Sequence, residues 1–166
     1  LSMHSTVLDN VMLARHSRTR GGFLASGVRW PAMVAEQRKH TARAVEICEF
    51  LGIERLLHAP VGGLSYGDAK RVDIARALAT EPEVLLLDEP AAGMNAGETA
   101  EVAELIKVVR EALDISILLV EHDMTLVMGV ADRITVLDFG KVVADGTPAE
   151  VRNDPEVIRA YLGEQD

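Results

Sequence analysis

Three short stretches of this chain carry residue types that could act on an anionic ligand. In the first, Val84-Leu85-Leu86-Leu87-Asp88-Glu89-Pro90, an apolar run ends in two carboxylates. Such a run reads as a buried strand, and the C-terminal edge of a parallel sheet is where α/β proteins place ligands. Asp88 is suited there to hold Mg²⁺, directly or through water. Glu89 is suited to orient and deprotonate an attacking water. The second stretch, Ile117-Leu118-Leu119-Val120-Glu121-His122-Asp123, ends a further apolar run in a histidine. If the two strands are parallel neighbours, His122 and Glu89 emerge at one edge, and the imidazole can donate to a transferring phosphoryl group. The third, Leu64-Ser65-Tyr66-Gly67-Asp68, precedes a helical stretch from Ala69 to Thr80. Ser65 is a good N-cap, Gly67 lets a ligand approach the backbone, and a helix N-terminus with a free hydroxyl suits an anion.

The elements that must position these residues follow from periodicity and punctuation. Thr6 to Leu13 reads as a short helix, and Ser17 to Val28, rich in Gly, Ser and Arg, as a loop. Pro31 suits the first turn of a helix that runs to about Leu51 and stops at Gly52. Gly62 and Gly63 mark the next loop. Glu98 to Leu113 places Val102, Leu105, Ile106 and Val109 on one helical face, and Ile115 to Val120 reads as a second buried strand. Met124 to Val130 is helical. Arg133 to Leu137 and Lys141 to Ala144 are strands around an Asp138-Phe139-Gly140 turn, with short helices at Pro148 to Arg152 and Pro155 to Leu162. Alternating strand and helix predicts an α/β layer with parallel pairing.

Composition bounds the function. The chain has 166 residues, enough for one medium domain or two small subdomains. Aromatics are scarce, so the core is aliphatic, and no apolar run approaches the roughly 20 residues that span a bilayer. A single cysteine, Cys48, excludes a disulfide within the chain and reads as a buried helix-face residue. A net charge of −9 argues against a nucleic-acid partner. The segment Arg15 to Arg43 nevertheless carries +6, which leaves −15 for the rest. That segment is either a solvated basic surface or a face turned towards anionic lipid or a membrane partner.

Each of the three sites alone has an ordinary explanation: a capped helix, an acidic turn, a structural histidine. Their order within one chain resembles the ABC ATPase family. Leu64-Ser65-Tyr66-Gly67-Asp68 resembles its signature motif, and Leu85 to Pro90 its Walker B motif with the catalytic glutamate. Ala92-Gly93-Met94-Asn95 falls at its D-loop and His122 at its switch histidine. Thr6 to Val11, the basic loop to Trp30, Glu121-His122-Asp123-Met124, and the ending from Gly146 to Val151 and Tyr161 to Gly163 are similar to the branched-chain amino-acid (LivG-type) group.

The resemblance implies an α/β fold, an incomplete P-loop NTPase (RecA-like) ABC ATPase fold with a helical subdomain. Residues 1–79 would be the helical signature subdomain, and 80–166 the distal RecA-like core with C-terminal helices. It implies ATP and Mg²⁺, with Asp88 holding the metal through water, Glu89 as base and His122 sensing the γ-phosphate. Leu64, Ser65, Tyr66, Gly67 and Asp68 would act in trans on nucleotide held by a second ATPase subunit, with Gly93, Met94 and Asn95 in the D-loop. Permease subunits and, indirectly, a solute-binding protein complete the implied partners, on the inner face of the cell membrane in the cytoplasm.

Two departures matter. No G-x-x-x-x-G-K-[ST] phosphate loop occurs in these residues, so the chain alone is expected to hydrolyse ATP negligibly. Asp68 stands where the family usually has Gln, and a carboxylate near a γ-phosphate is repulsive, so either Asp68 points away or signature function is weakened. A non-catalytic regulatory or interaction fragment is the rival reading. An ABC ATPase of DNA repair fits less well, since the chain has no long heptads or zinc cysteines.

Overall fold

The computed structural model describes residues 1–16 and 31–159. The expected loop over Ser17 to Val28 and the ending at Tyr161 to Gly163 lie outside them. The chain divides into two compact units, Leu1–Leu86 with Leu113–Leu118, and Leu87–Ala112 with Leu119–Asp166.

The first unit is built on helices α1 (Val7–Arg15), α2 (Pro31–Phe50) and α3 (Tyr66–Leu78), which pack on one another. α1 opens on a capping box, in which Thr6 Oγ1 accepts from the Asp9 N–H and the Asp9 carboxylate accepts from the Thr6 N–H. α2 stops where Gly52 takes φ +68°, a left-handed conformation that favours glycine. Val7, Val11, Cys48, Leu51, Val72 and Ala75 are fully buried between the helices. Burial in this apolar interior, with the Glu49 and Glu54 carboxylates nearby, pushes the Cys48 thiol up to about 11. Cys48 is therefore the packing residue its spacing predicts.

Arg15 departs from the expected basic surface. Its buried guanidinium donates to His40 Nδ1 at 3.1 Å, to the Ala79 carbonyl at 3.0 Å and to Glu81 Oε1 at 3.1 and 3.2 Å. It thereby ties α1 and α2 to the end of α3. A buried charge persists only when paired in this way. Arg43 pairs with Glu46 and Glu81 while remaining partly exposed. Arg38 and Lys39 are exposed, whereas Arg18, Arg20 and Arg29 fall outside the described residues.

Strands β1 (Val84–Asp88) and β2 (Ser116–Val120) form a two-stranded sheet. The Ser116 N–H donates to the Glu83 carbonyl near the starts, and the Glu89 N–H to the Val120 carbonyl at the ends. Starts meet starts and ends meet ends, so the pair is parallel, as expected. The continuous burial expected of both strands is not found. Leu85 is buried but Val84 and Leu86 are exposed, and Leu118 and Val120 are exposed in β2. The reason is the two-residue period of a strand: among the described residues one face of the pair is covered, and alternate side chains point to the other.

The second unit contains most of α4 (Ala96–Leu113), then α5 (Met124–Val130), β3 (Ile134–Asp138), β4 (Lys141–Gly146), α6 (Pro148–Arg152) and α7 (Pro155–Val157). As expected of two strands around the Asp138-Phe139-Gly140 turn, β3 pairs antiparallel with β4, so among the described residues the parallel pairing is that of β1 with β2. The cause is the connection: Phe139 and Gly140 both have positive φ, +43° and +77°, which is the tight turn that closes a two-residue hairpin. Ile134, Val136, Ala144, Val151 and Val157 form the core beneath this hairpin.

Candidate functional site

Parallel pairing of β1 and β2 delivers their C-terminal ends to the same place. His122 Nδ1 lies 3.6 Å from Glu89 Oε1. That is an ion-pair distance when the ring is protonated, and longer than a hydrogen bond. Both side chains are open to solvent, at 70% and 54% exposure. Glu89 has φ +44°, in the left-handed region that a non-glycine residue rarely adopts. Strain of this kind clusters at functional turns. Here the Glu89 N–H bonded to Val120 holds it in place.

Sequence reading gives Glu121 no role of its own, yet its carboxylate organises the site. Its side chain is 1% exposed. Oε1 accepts from the Ala91 N–H at 3.0 Å, and Oε2 from the His122 N–H at 3.0 Å and the Asp123 N–H at 3.4 Å. Oε2 also lies 3.7 Å from His122 Nδ1. A carboxylate directly after an apolar strand was the available signal, masked by the histidine beside it. Asp123 caps α5, accepting from the Thr125 and Leu126 N–H groups.

After Pro90 the chain turns twice, with the Ala92 N–H bonded to the Glu89 carbonyl and the Met94 N–H to the Ala91 carbonyl. Gly93 takes φ +76° there. Asn95 then starts α4: its Oδ1 accepts from the Gly97 and Glu98 N–H groups, and Glu98 returns a carboxylate to the Asn95 N–H. Asn95 is thus a helix cap, a duty an aspartate performs equally well.

Asp88 ends β1, exposed. Among the described residues no cluster of three or more His, Cys, Asp or Glu could enclose a metal ion. One open carboxylate fits a cation that keeps its waters and shares phosphate oxygens, which is the habit of Mg²⁺.

Leu64, Ser65, Tyr66, Gly67 and Asp68 lie in the first unit. Ser65 caps α3 as expected, accepting from the Asp68 N–H at 3.1 Å. Its hydroxyl donates to Asp68 Oδ2 at 2.9 Å, and Asp68 Oδ1 accepts from Arg55 Nη2 at 3.1 Å. Asp68 therefore turns back onto Ser65, and Arg55 offsets its charge. Gly67 has open space around it: a Cβ there would meet no atom within 4 Å. The chain's own packing thus gives no reason for glycine at this position.

The class of fold is α/β, with two parallel strands whose ends carry Asp88, Glu89 and, just beyond β2, His122. The chain belongs to the ABC transporter family: the model of that name matches residues 1–92, and that of the branched-chain amino acid ATP-binding cassette transporter matches 141–166. The chain is similar to the high-affinity branched-chain amino acid transport ATP-binding protein LivG of Salmonella typhimurium, at 45% identity over 96% of this chain and 62% of that protein. The related BraF of Pseudomonas aeruginosa is 40% identical over the same shares. The chain therefore spans about three-fifths of the length of these curated relatives. Among solved structures, the ADP conformation of MJ1267, an ATP-binding cassette of an ABC transporter, superposes with a TM-score of 0.77 at 28% identity, covering 98% of this chain and 65% of that one. The fold is thus a partial RecA-like ABC ATPase fold. No helix among the described residues is long and apolar enough to cross a membrane.

Proposed function

We propose that this chain is the signature, Walker B and switch-bearing part of an ATP-hydrolysing subunit of an ABC importer for branched-chain amino acids. The observation that carries it is the meeting of Glu89 and His122 at the paired ends of β1 and β2. Glu89, open to solvent and held by its own N–H, takes a proton from the attacking water. His122 donates towards the transferring phosphoryl group. Bound Mg²⁺, held by Asp88 through water, would supply charge neutralisation to the phosphates.

The phosphate loop is supplied from outside these 166 residues, and ATP is enclosed against Ser65 and Gly67 of a second subunit. Permease subunits take up the closure at the cytoplasmic face of the membrane, and a solute-binding protein delivers the solute to them. The helical signature part, residues 1–79, and the distal core, residues 80–166, divide these duties. Similarity to LivG and BraF over 96% of the chain supports the branched-chain amino-acid substrate.

The test is Mg-ATP turnover by the full-length subunit beside that of residues 1–166 alone, with uptake of leucine measured in the assembled transporter. Turnover by the full-length subunit and none by the short chain is expected. Absence of turnover in both would leave the regulatory fragment.

A further inference from the structure

We propose that Glu121 is a positioning residue that locks the catalytic turn to the switch turn. The proposal rests on the ATPase reading above. Glu121 is enclosed while its functional neighbours Glu89 and His122 are open. The turn after β1 is fixed at two N–H groups on either side of Pro90, which has none. The Glu89 N–H goes to the Val120 carbonyl, and the Ala91 N–H goes to Glu121 Oε1. The other carboxylate oxygen holds the His122 and Asp123 N–H groups. One side chain therefore sets the spacing between the general base and the phosphate-sensing histidine.

The chemistry explains why a glutamate is needed. Only an ionised carboxylate offers acceptors on both oxygens; a glutamine offers one acceptor and an NH₂ that would meet an N–H. Glu121→Gln keeps the volume but must release one of the two turns. An aspartate keeps the charge but is one methylene shorter, so it reaches one turn. The left-handed Glu89 backbone lies two residues from Ala91, so releasing Ala91 leaves the strained position held only by the Glu89 N–H bond to Val120. Misplacement of a catalytic group by about 1 Å can lower turnover by about 100-fold.

The test compares Glu121→Gln and Glu121→Asp with wild type in the full-length subunit. Two readouts are taken: kcat and KM for Mg-ATP, and hydrogen exchange at the Ala91, His122 and Asp123 amides by NMR. The expected result for both variants is a kcat lower by about 30- to 100-fold with KM changed less than about twofold. Faster exchange at one or more of the three amides, with exchange of the Ile106 amide in α4 unchanged, accompanies it. Wild-type kcat in either folded variant overturns the proposal, as does unchanged exchange at all three amides. If Glu121→Gln does not fold, Glu121→Asp decides by the same two readouts. If the wild type hydrolyses no ATP, the ATPase reading fails, and the exchange data alone decide whether Glu121 locks the two turns.

Discussion

The signature turn and the strand-end site are both polar, but they satisfy their polar groups in opposite ways. At the signature turn the functional side chains bond to each other: Ser65 donates to Asp68, and Asp68 accepts from Arg55. At the strand ends the local hydrogen bonds are gathered by a residue of no direct catalytic use, Glu121, which leaves Glu89 and His122 open to solvent. The difference is one of bonding: the Glu89 and His122 side chains, 3.6 Å apart, stay more than half exposed, whereas the Ser65 hydroxyl proton is held by a carboxylate.

The largest expected effect lies at the strand ends. Glu89→Gln in the full-length subunit keeps the side-chain volume and removes the base. Turnover of Mg-ATP should fall by about 10²- to 10⁴-fold, while ATP binding, measured by equilibrium dialysis, stays within a fewfold of wild type. Turnover within tenfold of wild type would show that the open carboxylate is not the base, and the contrast between the two regions would lose its functional meaning.

Three smaller effects test the signature turn. Asp68→Gln replaces the carboxylate that holds the Ser65 hydroxyl with a weaker, neutral acceptor, so the hydroxyl passes more readily to phosphate, a difference of roughly 1 kcal/mol. The apparent KM for ATP should fall by about three- to tenfold. Arg55→Ala removes the cation that offsets Asp68 and should raise KM. Equal KM values in all three proteins would mean that the Asp68 carboxylate stays clear of the nucleotide. Ser65→Ala should cost about 1 kcal/mol of stability through the lost cap, read as a shift in the denaturant midpoint. On the proposed function it should lower turnover as well, since there the same oxygen would also meet phosphate.

Much of this was legible from residue types and spacing. Capping chemistry placed α3 at Ser65, the proline-to-glycine interval placed α2, and two apolar runs ending in Glu89 and His122 were enough to predict their meeting. What was not legible depends on contacts between distant segments. Arg15 counts as one more surface cation until α1 is packed on α2 and α3, where it becomes the buried link to His40 and Glu81. Glu121 looks like a flanking acid until Ala91 is folded against it. The direction of Asp68 was undecidable without Arg55, which lies on a separate 3₁₀ turn, Glu54–Leu56. The alternating burial of β1 and β2 is not legible either, because an apolar run says nothing of how many faces are covered.

The smallest expected effect concerns the scaffolds beneath the two regions. In the second unit, the Arg133 guanidinium grips Asp145 at 3.0 and 2.7 Å and Thr135 adds a further hydrogen bond, holding that carboxyl below its ordinary value. Glu150 is lowered by the Thr147 N–H and hydroxyl in the α6 capping box. In the first unit, Asp9 is lowered by the Thr6 hydroxyl and N–H. A carboxylate whose folded value is depressed contributes stability above its unfolded value, and that contribution is lost as pH falls through the folded one. The ordinary values are 3.8 for Asp and 4.5 for Glu. Thermal stability should therefore begin to fall from these groups below about pH 4.5. These sites lie at the surface, so salt screens them and the fall is shallow. Arg133→Gln should reduce the acid dependence carried by the β3–β4 hairpin and leave the Asp9 share intact. Melting curves from pH 6 down to pH 2, followed by circular dichroism in low salt, would show a flatter profile for the variant. An identical profile would mean that the hairpin ion pair contributes nothing to acid sensitivity, and that the helix caps alone set it in both units.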